Sequence, residues 1–253
     1  MTTPANTESP WVRRFHSHQD TAASLVCLPH AGGSASFYVP MSASLAPAVG
    51  VLAIQYPGRQ DRRTEPAITD LRELAARIHA ALRPLPEQPV ALFGHSMGAT
   101  IAFELARLLE RDGATVSRLF VSGRCAPSRH RDESIHRRSD AGLVAELRRL
   151  AGTDSQFLDD EDMLAMILPA LRSDYQALET YRYRPGPMLA CPISVFVGDC
   201  DPRVTVDEAR VWQEHTEAEF DLTVFAGGHF YLSENWSAIV DAVTDRLGTA
   251  LPL

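Results

Sequence analysis

A chain of 253 residues with 45% hydrophobic and 22% charged side chains has the balance of an ordinary globular protein and is long enough to bury a sizeable core. Its net charge of −8 argues against nucleic acid as the main partner, because the phosphate backbone needs a basic surface. No uninterrupted apolar run is long enough to span a bilayer, so no membrane partner is expected. Cys27, Cys125, Cys191 and Cys200 show no C-x-x-C pairing and no accompanying His-x-His spacing, which speaks against a zinc site or a redox motif. Residues 1–10 are polar, without the apolar core of a secretory signal, and are expected to be a disordered tail on a cytoplasmic protein.

Trp11 to Phe15 reads as a first edge strand and His16 to Ala22 as a polar turn. Ser24–Leu28 is a short apolar run that ends in Pro29-His30-Ala31-Gly32-Gly33-Ser34 and leads into a helix over about 35–46. Glycines there let a backbone N–H come close to a ligand. Val51–Gln55 is the next strand. Thr69 to Arg83 follows as a helix that Asp70 or Thr69 can cap, with Leu71, Leu74, Ala75, Ile78 and Leu82 on one face.

A Pro-rich connector, Pro84 to Pro89, leads to the stretch that organises the chain. Val90–Phe93 reads as a buried strand and Ala99–Leu109 as an amphipathic helix, with Gly94-His95-Ser96-Met97-Gly98 between them. A Gly-x-Ser-x-Gly turn in that context is a nucleophile elbow, which lifts the Ser96 hydroxyl above the sheet and points the Met97 N–H at the same spot.

Arg118–Ser122 is a further strand, after which the rhythm breaks. About 70 residues without a strand precede Ile193–Val197, far more than one crossover helix requires. Arg129 to Arg138 is expected as a mobile charged loop, and Asp140–Ala151 and Glu161–Tyr183 as amphipathic helices, the second divided at Pro169. A helical insertion over about 129–188 is expected to sit above the strand ends as a lid. The remainder of 11–253 is expected as a single domain: Val204–Thr216 mostly helical, Phe220–Phe225 a strand, and Glu234–Leu247 a closing helix.

Each chemically distinctive residue follows a predicted strand. Ser96, then Asp199 or Asp201, then His229 is the chain order of an α/β-hydrolase. The chemistry needs all three: an imidazole must take the serine proton, and a carboxylate must hold that imidazole in one tautomer and orientation. His30 could orient the small-residue loop by hydrogen bonding, and His16, His18, His79, His130, His136 and His215 read as surface residues.

Six blocks occur in one order: Leu28-Pro29-His30-Ala31-Gly32-Gly33-Ser34, Tyr56-Pro57-Gly58-Arg59, the elbow, Leu168-Pro169-Ala170-Leu171-Arg172-Ser173-Asp174, Gly198-Asp199-Cys200-Asp201 and Gly227-Gly228-His229-Phe230-Tyr231-Leu232. Together they resemble the type II thioesterases, stand-alone editing enzymes of polyketide and nonribosomal peptide synthases, over about residues 11–248. The resemblance implies an α/β-hydrolase fold: a mostly parallel sheet flanked by helices, with a helical lid. It also implies hydrolysis of acyl or aminoacyl groups held on the phosphopantetheine arm of an acyl or peptidyl carrier protein, and of small acyl thioesters, by a monomer that needs no metal or redox cofactor. In that reading Ser96 is the nucleophile, His229 the base, and the N–H groups of Met97 and Ala31 the oxyanion hole.

Asp201 is expected as the triad acid. It lies far enough past the strand end to turn toward His229, and Pro202 restricts it to extended angles. Asp199 is expected to cap the turn. A general carboxylesterase or acyltransferase with the same triad, and a non-catalytic binding protein of this fold, are the alternatives. Arg59, Arg62 and Arg63, or Arg129, Arg131, Arg137 and Arg138, are candidate contacts for an acidic carrier.

Overall fold

The computed structural model describes residues 9–16, 21–131, 133–151 and 160–248. The expected tail over residues 1–8, most of the 16–22 turn, and His18 lie outside the described residues. Seven strands form one sheet: β1 (Val12–Arg13), β2 (Ala23–Leu28), β3 (Val49–Ile54), β4 (Val90–His95), β5 (Val116–Ser122), β6 (Ile193–Gly198) and β7 (Phe220–Phe225). They lie in the order β1-β3-β2-β4-β5-β6-β7. β1 pairs antiparallel with β3, and the other neighbours pair in parallel. This is the α/β-hydrolase fold.

The central strands read as apolar runs because both of their faces are covered. Alternate side chains of β2 go to opposite cores. Leu25 and Cys27 join Met41 and Leu45 of α1 (Val39–Leu45) and Ile239 and Val243 of α7 (Trp236–Arg246). Val26 and Leu28 join Leu74 and Ile78 of α2 (Leu71–Ala81) and Ile101 and Leu105 of α3 (Met97–Arg111). Asp70 is the cap of α2, its carboxylate accepting the N–H groups of Arg72 at 2.8 Å and Glu73 at 3.0 Å, a contact worth about 1 kcal/mol. Edge strand β7 is only partly buried. The segment after β6 is a short helix, α6 in chain order after the two insertion helices below, spanning Val206–Arg210 and continuing as a 3-10 turn over Val211–His215.

Between β5 and β6 lie α4 (Asp140–Ala151) and α5 (Glu161–Thr180). The second is not divided: Pro169 stands inside a continuous helix. An interior proline costs about 3 kcal/mol. Here it is offset by the buried face on either side, where Leu168, Leu171 and Tyr175 pack with Ile135, Leu143 and Val144. Leu171 is buried in this cluster, whereas Met166 on the same helix is 66% exposed.

The last part of the 129–138 segment expected as a mobile loop is instead tied down, over residues 135–138. Glu179 accepts the N–H of Ile135 at 2.6 Å and of His136 at 3.1 Å, and Arg172 donates to the His136 and Arg138 carbonyls at 2.5 and 2.7 Å. The surface assignment of several histidines also fails. His215 is buried, with its ring against Phe103 and Trp212 and its Nε2 2.9 Å from Ser128 Oγ. His136 is partly buried and paired with Glu179.

Candidate active site

β2, β4, β6 and β7 are parallel, so the loops that follow them open on one rim of the sheet. The elbow follows β4. Ser96 has φ 54° and ψ −114°, a region that a residue with a side chain rarely enters. The neighbouring glycines make room for it. A Cβ on Gly94 would lie 2.2 Å from the Gly98 carbonyl oxygen, and one on Gly98 would lie 1.9 Å from that of Leu28. Met97 begins α3, so its N–H is among the helix's first four, which have no intrahelical partner.

The loops after β6 and β7 meet above this turn. His229 Nε2 is 3.0 Å from Ser96 Oγ. Its Nδ1 is 3.0 and 2.9 Å from the two carboxylate oxygens of Asp201, both residues being buried. Asp201 Oδ1 also accepts the backbone N–H of Arg203 at 2.7 Å, which limits its rotation. An imidazole so held can receive a proton from the hydroxyl. Asp199 has a different place: it is exposed and accepts the Gly227 N–H at 2.9 Å, which joins the acid-bearing loop to the histidine loop. That N–H, followed by the Cys200 thiol, holds the Asp199 carboxyl below the usual range.

Around His229 stands a wall of rings. His95 lies 5.1 Å from it and Phe230 5.3 Å, centroid to centroid. His95 bonds through Nδ1 to Ser122 Oγ at 2.9 Å, and that hydroxyl is 2.6 Å from the Tyr231 hydroxyl. His30 does not orient its loop by side-chain hydrogen bonding. Its Nδ1 is buried without a partner among the described residues, and its ring packs edge-on to Phe37 and Phe230 at 4.7 and 4.8 Å. Burial, then the neighbouring His229 and Arg59, push the His30 imidazole down to about 3. It is therefore a neutral ring at ordinary pH.

Ala31 lies on the loop after β2 and packs against the apolar cluster of the insertion. Two buried ion pairs fasten that insertion to the rim. Arg59 holds Asp174 of α5 through two bonds of 2.7 and 2.8 Å, and Arg203 holds Glu146 of α4 at 2.6 Å. Arg59 and Arg62 are consequently unavailable to a carrier protein: both are buried, and Arg62 pairs with Glu65 while donating to the Gln55 carbonyl at 2.7 Å. In the second cluster, Arg131 pairs with Glu208, and Arg138 lies 3.4 Å from Glu146. Cys27, Cys125 and Cys191 are buried thiols and Cys200 is exposed.

A family profile described as a thioesterase domain matches residues 23–247. The chain belongs to the thioesterase family. It is 49% identical to thioesterase PikA5 of Streptomyces venezuelae over 247 residues, covering 96% of this chain and 88% of that one. It is 50% identical to a probable cadicidin biosynthesis thioesterase of Streptomyces griseus, covering 99% of this chain and 68% of the relative. Among solved structures, the type II thioesterase BorB from the borrelidin biosynthetic cluster superposes with a TM-score of 0.89 at 56% identity, over 94% of this chain and 97% of that one.

In this thioesterase Ser96, Asp201, His229, Met97 and Ala31 all lie on the same rim. The residues that sequence reasoning did not resolve are the fasteners. Arg59 and Asp174 lie in two of the six blocks, but their pairing is not legible in the sequence, since 115 positions separate them. Glu146 and Arg203 lay in no block at all.

Proposed function

We propose that the chain is an editing, type II thioesterase that frees acyl or aminoacyl groups from the phosphopantetheine arm of acyl or peptidyl carrier proteins of polyketide or nonribosomal peptide synthesis, working in the cytoplasm as a monomer. The observation that carries the reading is the unbroken hydrogen-bonded line Asp201–His229–Ser96 in a chain of the thioesterase family. Likeness to thioesterases named for such clusters supports the substrate class.

Ser96 Oγ attacks the thioester carbonyl carbon while His229 Nε2 takes its proton, and Asp201 stabilises the imidazolium that results. The oxyanion accepts hydrogen bonds from the N–H groups of Met97 and Ala31, an interaction whose loss costs about 10²–10³ in kcat per donor. The tetrahedral centre collapses, the carbon–sulfur bond breaks, and His229 returns the proton to the departing thiolate. A thiol of pKa near 8.5 leaves far more readily than an alkoxide. Water then adds to the acyl-enzyme as His229 takes its proton, the bond from the acyl carbon to Ser96 Oγ breaks, His229 returns the proton to Oγ, and the free acid departs. The helical insertion covers the acyl chain as a lid.

Release of the acid from an acyl-loaded carrier protein is measured beside turnover of the matched oxoester. Faster release from the carrier supports the proposal. Equal or faster oxoester turnover points to a general carboxylesterase. Failure of a fluorophosphonate to label Ser96 points to a non-catalytic protein.

A further inference from the structure

The loop after β2 is joined to the insertion by contacts that the proposed proton transfers do not use. Asp174 is 2% exposed and Arg59 6%, and they form a two-pronged pair. Each also reaches the loop: Asp174 Oδ2 accepts the Gly32 N–H at 2.7 Å, and Arg59 Nη1 donates to the Gly33 carbonyl at 3.0 Å. The Gly33 N–H in turn reaches the His30 carbonyl at 2.9 Å, closing a four-residue turn, with Gly32 at φ +74° as its third member. That is a type II turn, which differs from type I by a flip of the central peptide. Glycine at this position permits either form. The central peptide is the one whose N–H Asp174 holds, and an ionised acceptor makes that bond stronger than a neutral one. Leu171 closes the other side: a Cβ on Gly32 would lie 2.9 Å from its Cδ1.

Ala31 thus stands between two immobilised peptide planes. The plane before it contains its own N–H and the His30 carbonyl fixed by Gly33. The plane after it contains the Gly32 N–H fixed by Asp174.

We propose that Asp174 and Arg59 are positioning residues for the oxyanion hole: by holding the Gly32 N–H and the Gly33 carbonyl they anchor the turn whose first peptide carries the Ala31 N–H, and so keep that N–H facing the carbonyl attached to Ser96. This rests on the proposed role of Ala31. It makes α5 part of the catalytic frame.

The test uses the full chain, an acyl-N-acetylcysteamine thioester, and a trifluoromethyl ketone analogue whose oxyanion would occupy the hole once Ser96 adds to it. Asp174→Ala should lower kcat about 10- to 100-fold, up to the effect of losing one donor, with little change in KM. Binding of the ketone should weaken by the same factor. Asp174→Ala also leaves Arg59 buried and unpaired, so thermal stability falls for a separate reason. The double variant Arg59→Met/Asp174→Leu removes both charges and should regain stability while kcat stays low. Arg59→Lys keeps a cation but loses the fork that orients the carboxylate and reaches the Gly33 carbonyl; it should lower kcat, though less than Asp174→Ala does, with little change in KM. An active wild type whose double variant regains kcat together with its melting temperature, or whose Asp174→Ala form binds the ketone undiminished, overturns the inference alone. A wild type that neither turns over the thioester nor binds the ketone overturns the underlying reading and the inference with it.

Discussion

At the elbow, the position of Ser96 follows from backbone contacts within a few residues and one neighbouring strand: Gly94 against Gly98, and Gly98 against Leu28. In the insertion, position follows from side chains that meet across long stretches of chain: Arg59 with Asp174, and Arg203 with Glu146. The first kind of constraint is steric and has no substitute, because a carbonyl oxygen cannot yield to an added carbon. The second is electrostatic and can be replaced by an apolar pair of similar volume, often at no cost to stability. An elbow change should therefore be irreparable, while a break in the insertion should be repairable by a second substitution.

The strongest break is Gly98→Ala. Its Cβ would lie 1.9 Å from the Leu28 carbonyl oxygen, so β2 and α3 could not both keep their places. A loss beyond about 4 kcal/mol is expected, read as absence of a cooperative unfolding transition.

Next is the contrast between the two acids. Asp201→Asn keeps the shape but offers His229 the wrong partner, and kcat should fall by up to about 10⁴-fold. Asp199→Asn should leave kcat nearly unchanged and lower the melting temperature, since Asp199 bonds Gly227 and not the imidazole. Steady-state kinetics and thermal melts on both variants check this; a dead Asp199→Asn with an active Asp201→Asn would reverse the assignment.

A break in the insertion comes third. Glu146 and Arg203 are both buried, and Arg203 also pairs with Glu133 and donates its backbone N–H to Asp201. Glu146→Ala should cost about 3–5 kcal/mol in denaturant unfolding by leaving part of a buried charge uncompensated. Glu146→Leu/Arg203→Met should recover much of that. Recovery here, set against none for any second change beside Gly98→Ala, would sharpen the distinction between the two regions.

The smallest effect is one of pH. His30 in the folded chain resists protonation down to about 3, through burial and the charges of His229 and Arg59. The unfolded ring takes a proton near pH 6.5. Between those values the unfolded state binds more protons, so stability rises with pH and is lost as pH falls below about 6.5. The contribution is up to about 1.4 kcal/mol per pH unit for this one group. His95, also pushed well below its usual value by burial, acts in the same direction. His30→Leu should flatten the fall in unfolding free energy between pH 6.5 and 5; an unchanged slope would show that the ring is not held neutral.

The sequence by itself determined the strands, because a strand covered on both faces reads as a nearly continuous apolar run, and Ala23–Leu28, Val90–His95 and Ile193–Gly198 are fully buried. It determined the elbow, because a strained serine needs glycines two positions away. It also pointed to Asp201 rather than Asp199 as the carboxylate beside His229, since position past the strand end and the following proline are local facts. Tertiary structure alone decided the rest. Whether Pro169 breaks its helix depended on how much apolar surface the whole helix buries against Ile135, Leu143 and Val144. Whether Arg59 serves a partner or the fold depended on where Asp174 lies, and nothing in either residue's neighbourhood encodes a contact 115 positions away. A charged side chain reads as solvated surface until folding brings its counter-ion beside it. Burial of His95 and His215, and of the Nδ1 edge of His30, was hidden for the same reason: a ring's neighbours are chosen by packing between elements, and the residues beside it in the chain do not reveal them.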